Sequence, residues 1–270
     1  MEKKALIREE RHDLHSKHLN REVTIDFFMP TNIDDKSIPS LLLINDGQDM
    51  ATMHFKDILE KLYEKGGIRP VLFTAIHAGK DRKNEYGTAG FPDYKNRGAK
   101  AGKYTYFVFE ELIPFIRKHF GISEFRDKSF AGFSLGGLMA LDIVWNHPAH
   151  FSYVGVFSGS LWWRSKGLED GYAEETDRIM HARIRAGKYA PWLKFFFQTG
   201  VMDETADRNN NGIIDSIDDT VSLIDELVLK GYDREKDIVY LELKDGRHDV
   251  PTWGKAMPAF LRFAYGKTQE

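Results

Sequence analysis

The sequence predicts an α/β fold: a mostly parallel central sheet with helices on both faces and an antiparallel strand at its N-terminal edge. Three observations point there. Strand-like and helix-like runs alternate along the chain. PSLLLIND at 39–46 and RPVLFTAIHA at 69–78 are continuous apolar runs, as strands buried on both faces are. REVTIDFFMP at 21–30 instead alternates apolar and polar residues, as a half-exposed edge strand does. No repeat or low-complexity linker interrupts residues 1–270, which read as one domain.

The remaining elements follow in order. HFKDILEKLYEKGG, between the two apolar strands, has helical periodicity and stops at Gly66 and Gly67, a C-cap signal. Residues 79–103 form a long, Gly-rich, charged loop, which in a compact domain is functional or disordered. It leaves the carboxyl end of a strand, where open α/β sheets bind ligands. A helix is expected over 104–121, with Pro114 kinking or restarting it. Then come a strand ending at Ser134, a helix through Trp145 and the strand YVGVFSG at 153–159. A helix around 175–186, the strand KFFFQTG at 194–200 and a helix over 220–230 precede the strand DIVYLEL at 237–243. The chain closes in an amphipathic helix, PTWGKAMPAFLRFAYG.

Composition excludes several classes of function. A net charge of −3 offers no electrostatic case for nucleic acid or an anionic membrane. No apolar run approaches the roughly 20 residues that span a bilayer. The N-terminal segment is basic but has no apolar core of a leader, so a cytoplasmic protein is expected. A leader already removed would make it periplasmic or secreted. The absence of cysteine excludes disulfides, thiol nucleophiles and zinc–thiolate sites.

The chemistry gathers around GFSLG at 132–136. Ser134 follows a strand and opens a helix, the context of a nucleophile elbow. The glycines permit the tight turn, and the helix N-terminus offers N–H groups to a developing oxyanion. Such a serine needs a base oriented by an acid, in the chain order Ser, acid, His. His248 lies just past the last strand and is the better base; His181 sits within a polar helix. The acid should follow KFFFQTG, making Asp203 the first candidate and Glu204 the second. The N–H of Leu135, with that of Gln48 at the end of an earlier strand, would form the oxyanion hole. Trp162 and Trp163 could meet an acyl or aryl group, and Arg82, Glu85 and Tyr86 could hold a polar substrate.

Taken together, DGQ at 46–48, R-x-x-E-Y at 82–86, ELIPFI at 111–116, GFSLGG at 132–137, FSGSLWW at 157–163, TGVMD at 199–203 and G-x-H-x-x-x-x-W at 246–253 form a specific ordered set. The sequence thereby resembles the esterase D-like or enterochelin-esterase-like α/β hydrolases, relatives of feruloyl esterases and mycolyltransferases. That resemblance implies a Ser134–Asp203–His248 triad with Gln48 and Leu135 as oxyanion donors. The expected reaction is hydrolysis of a carboxylic ester through an acyl-enzyme, with no cofactor required. Its substrate would be a small-molecule or glycan-linked ester: a siderophore, feruloyl, aryl or acetyl ester. Acyl transfer to a sugar or other alcohol, and a non-catalytic binding module, are the alternatives.

A second motif is of another kind. DRNNNGIIDSID at 207–218 fits an acidic calcium loop. Asp207, Asn209, Asn211, the carbonyl of Ile213, Asp215 and Asp218 would be the ligands of a structural Ca2+, with Gly212 at the sharp turn. An Asn/Asp/Gly turn using its own side chains as hydrogen-bond partners is the competing reading. His12, His15 and His18 recur every third residue but lack the acidic or helical support of a metal site.

Overall fold

The computed structural model describes residues 6–31 and 37–267. Chain order begins with the hairpin β1 (Ile7–Ser16) and β2 (Arg21–Pro30), then β3 (Ser40–Asn45), α1 (Phe55–Glu64) and β4 (Val71–Ile76). Next are α2 (Arg82–Glu85), α3 (Ala101–Tyr106), a π-helical turn (Phe107–Leu112), α4 (Ile113–Phe120), β5 (Lys128–Phe133), α5 (Leu135–Asn146) and β6 (Tyr153–Phe157). The last part comprises α6 (Glu174–Asp177), α7 (Ile179–Ala186), β7 (Lys194–Met202), α8 (Asp215–Lys230), β8 (Ile238–Arg247) and α9 (Val250–Tyr265).

The strands form one sheet in the order β1-β2-β4-β3-β5-β6-β7-β8. β1 and β2 run antiparallel and β2 pairs antiparallel with β4; all later pairings are parallel. Alternate residues of β3 feed two cores. Leu41 and Leu43 belong to the core that also holds Tyr104, Phe107, Leu138 and Ile224, whereas Leu42 and Ile44 belong to the one with Phe55, Leu59, Met257 and Phe260. Helices α3, α4, α5, α7 and α8 therefore cover one face, and α1 and α9 the other. Burial on both sides is why the middle strands read as unbroken apolar runs.

Four elements differ from the sequence expectation. The outermost strand is β1, and 21–30 lies one place inside it. Charged side chains occupy both faces of β1, so no alternation marks it. The 79–103 loop is ordered. It contains α2, a Thr88–Phe91 bridge and a buried Asp93 that accepts from the N–H groups of Lys95 and Arg97. The 104–121 helix begins at Ala101 and restarts at Pro114 after the π-helical turn, which accommodates a residue with no N–H to donate. β8 runs on to Arg247, because Gly246 faces Gly200 across the pair and lets the two backbones close up.

Candidate active site

Ser134 joins β5 to α5 with φ 53° and ψ −123°. A side-chain-bearing residue held there stores about 1–3 kcal/mol of strain, so its surroundings must impose the turn. They do so through the backbone. Ser134 N–H donates to Phe157 O at 2.8 Å, and Ser134 O accepts from Gly137 N at 3.0 Å and Ser160 N at 3.1 Å. Glycines clear the space: a Cβ on Gly132 would lie 2.2 Å from Gly136 O, and one on Gly136 would lie 2.5 Å from Asp46 Oδ2. The Ser134 hydroxyl lies 3.4 Å from that of Ser160, a long contact that leaves it available to another partner.

His248 and Asp203 reach this edge from β8 and β7. Met202 pairs with Arg247 in the parallel register, so Asp203 and His248 are the next residues out of adjacent strands. The His248 ring meets the Trp253 ring edge-on at 5.4 Å, and Trp253 stacks on Phe133, the neighbour of Ser134, at 5.0 Å. Trp253 Nε1 is fixed by donating to Ser158 Oγ at 3.0 Å. Desolvation holds the imidazole below its ordinary pKa, the Arg82 cation acts in the same direction, and the Asp203 and Asp249 carboxylates oppose them. Both Asp203 carboxylate oxygens are buried without a hydrogen-bond partner. Such an orphan is costly and marks a group waiting for a donor. Glu204, the second candidate, is half-buried: burial raises its pKa, and its Oε1 is likewise without a hydrogen-bond partner. His181 is buried between α7 and α8, its Nε2 against Asp219 O at 3.0 Å and Ser222 Oγ at 3.1 Å.

The N–H groups of Gln48 and Leu135 engage no acceptor among the described residues. Gln48 lies in a 3-10 turn (Gly47–Asp49) whose preceding residue, Asp46, has φ 62°. The Gln48 side chain anchors the turn, its Oε1 accepting from Ala78 N at 3.0 Å. Gly47 is required here, since a Cβ would lie 2.6 Å from the Ala75 carbonyl carbon. Asn45, also buried, donates to Gly136 O at 2.8 Å and accepts from Tyr104 Oη at 2.6 Å, tying the end of β3 to the elbow.

The expected substrate residues divide. Arg82 makes a two-pronged pair with the buried Asp46, 2.7 Å on each prong, and its Nη2 reaches Phe133 O at 3.3 Å. It therefore braces the turn at Asp46 against the elbow strand. Glu85 is taken by Arg21. Tyr86 and Trp163 are fully buried, so the surface they were expected to offer a substrate is missing. Trp163 instead receives Gly87 and Gly98 of the long loop, where a Cβ would come within 2.8 and 2.9 Å of its ring. Trp162 is half-buried, with the Arg97 guanidinium 5.1 Å from its ring centroid. Asp46, Asn45 and Trp253 carry no functional assignment in the sequence reading. The signal for the first two was a polar pair closing an apolar run, LLLI at 41–44.

The 207–218 loop is closed by its own donors. Asp207 accepts from Asn211 N and Gly212 N at 3.1 and 2.9 Å, Asn211 Oδ1 from Ile213 N at 2.8 Å, and Asp218 from the Asn209 and Asn211 amides at 3.0 and 3.2 Å. Asp215 accepts from Arg208 N at 2.9 Å and opens α8. Oxygens that a cation would use thus already hold N–H groups of the chain. The histidines at 12, 15 and 18 do not converge: His15 pairs with Glu22 and His18 with Glu110, each at 2.7 Å.

Comparison with known proteins agrees with this fold. The model of the family described as "Putative esterase" matches residues 16–264. Iron(III) enterobactin esterase of Escherichia coli (strain K12) is 24% identical over 148 residues, 54% of this chain and 32% of that protein. The uncharacterized protein YbbA of Bacillus subtilis (strain 168) is 22% identical over 151 residues, 54% of this chain and 59% of that protein. The aligned part of the chain thus spans 32% to 59% of the length of these curated relatives. Enterochelin esterase from Shigella flexneri superposes with a TM-score of 0.71 at 20% identity, covering 94% of this chain and 57% of that one. Siderophore hydrolase EstB from Aspergillus nidulans gives 0.67 at 17% identity, covering 96% and 97%. At these identities the two structures show the fold alone. With the family match running over nearly the whole sheet, the chain belongs to the family described as "Putative esterase" and has the α/β-hydrolase fold.

Proposed function

We propose that the protein hydrolyses carboxylic esters with Ser134 as nucleophile, His248 as general base and Asp203 as the carboxylate that orients the imidazole. The observation that carries this reading is the strained Ser134 at the N-terminus of α5, beside the free N–H of Leu135. Ser134 Oγ bonds to the ester carbonyl carbon as His248 takes the hydroxyl proton. The N–H groups of Leu135 and Gln48 stabilise the oxyanion. His248 then gives that proton to the leaving alkoxide as the ester C–O bond breaks. Water, deprotonated by His248, opens the acyl-enzyme and restores Ser134. The lowered pKa of His248 keeps the neutral, proton-accepting form abundant near neutrality.

Relatives named for enterochelin and siderophores support an aryl-bearing or siderophore ester as substrate, for which the half-buried Trp162 would offer a flat contact. Acyl transfer to a sugar or other alcohol is the second reading, since the same acyl-enzyme serves both. Neither needs a cofactor; an ion taken by residues 207–218 would be structural. A panel of aryl, acetyl, feruloyl and catecholate-siderophore esters, assayed with wild type and Ser134→Ala, tests the reading. Turnover of at least one ester is expected to fall by roughly 10³-fold or more in the variant. Equal rates, or no turnover by wild type, would contradict it. Added glycerol or glucose separates transfer from hydrolysis through the acylated product.

A further inference from the structure

We propose a metal site, independent of the ester chemistry, formed by Glu10, His12 and His119 at the outer edge of the sheet, which takes a divalent ion of the Zn2+ class. Glu10 and His12 stand two apart on β1 and so share a face. His119 comes from the last turn of α4. One carboxylate oxygen and one nitrogen from each imidazole lie within 4.8 Å of one another.

The spacing distinguishes this cluster from the other histidine–carboxylate pairs. His15–Glu22, His18–Glu110 and His77–Asp26 each close to 2.7 Å, as charge-assisted hydrogen bonds do. His12 Nε2 and His119 Nε2 stand 3.3 and 3.2 Å from the same oxygen, Glu10 Oε2. Ligands about 2.0–2.1 Å from a tetrahedral zinc ion are separated by about 3.3–3.4 Å. The only other long pair among the described residues, His54 with Asp57 at 3.6 Å, joins two exposed side chains on one helical turn.

The ligands are also held in place before any ion arrives. The His119 ring stacks on Phe115 at 5.5 Å and 11° and meets Phe120 edge-on at 4.6 Å. His12 lies edge-on to Phe27 and Phe115 at 5.8 and 5.9 Å. Arg8 pairs with Glu10 Oε1 and so leaves Oε2 turned to the histidines. Two imidazoles and one carboxylate suit Zn2+, Ni2+ or Cu2+ and are too few and too soft for Ca2+ or Mg2+. Three protein ligands leave a fourth position to water. The ion would join β1, which has a partner on one side only, to α4.

Chelator-stripped, tag-free protein titrated with ZnCl2 by calorimetry tests the site. One ion per chain is expected, with a rise of a few degrees in the unfolding midpoint. Glu10→Gln keeps the side-chain shape, and it and His119→Gln should each weaken binding by about 10-fold or more. Co2+ in wild type should give the intense visible absorption of a tetrahedral site, lost in both variants. No heat from wild type, or unchanged affinity in variants whose circular dichroism matches wild type, would overturn the proposal.

Discussion

At Ser134 a local conformational cost and a chemical opportunity coincide. The residue can sit at φ 53° because Gly132 and Gly136 bring no Cβ into the tight turn. His248 carries the most direct residue-scale consequence. Its pKa is lowered first by desolvation and further by Arg82, against the pull of Asp203. The acid limb of the kcat/KM profile should therefore lie below the ordinary imidazole value of about 6.5. Arg82→Ala removes a cation that disfavours the imidazolium, so that limb should move to higher pH; a limb that stays put or falls would contradict this. That Ser134, Asp203 and His248 lie at the ends of strands was legible in the sequence, because each comes shortly after an apolar run. The burial of Tyr86 and Trp163 was not, since nothing local marks the tight approach of Gly87 and Gly98 that encloses them.

Between elements, the elbow is one corner of a polar lattice linking the ends of β3 and β5. Asn45 holds α5 and α3, Asp46 holds Arg82, and Arg82 reaches back to the carbonyl before Ser134. Gly136→Ala should therefore act across elements, since its Cβ would lie 2.5 Å from Asp46 Oδ2 and 3.0 Å from Asn45 Cβ. A loss of about 1–3 kcal/mol in denaturant unfolding is expected, as for an overpacked core, together with reduced ester turnover. Full stability and activity in this variant would show that the close approach is not needed. The apolar strands and amphipathic helices were readable because their periodicities follow from burial. β1 was not, because an edge strand with charges on both faces has no period to detect.

Across the whole molecule, the antiparallel hairpin stands at one edge of the sheet and the His248 strand at the other. Asp26 on β2 joins the hairpin to the rest of the sheet, accepting from Arg11 at 2.6 and 2.8 Å and from His77 at 2.7 Å. Burial alone would raise its pKa, but these partners win and lower it from 3.8 to about 2. A carboxylate with a depressed folded pKa stabilises above its unfolded value and loses that contribution as pH falls through the folded one. Asp26→Asn should cost on the order of 1–2 kcal/mol at pH 7, after discounting for the exposed Arg11, and almost nothing near pH 2. Equal destabilisation at both pH values would assign the loss to packing instead. No helix among the described residues is long and apolar enough to cross a membrane.

Reaction with a fluorophosphonate probe, followed by peptide mass spectrometry, interrogates the nucleophile most directly. One adduct per chain is expected, on the peptide containing Ser134, with labelling slowed sharply by His248→Ala and absent in Ser134→Ala. A wild-type protein that stays unlabelled, or labels equally well without Ser134, would contradict a serine-esterase mechanism at this turn.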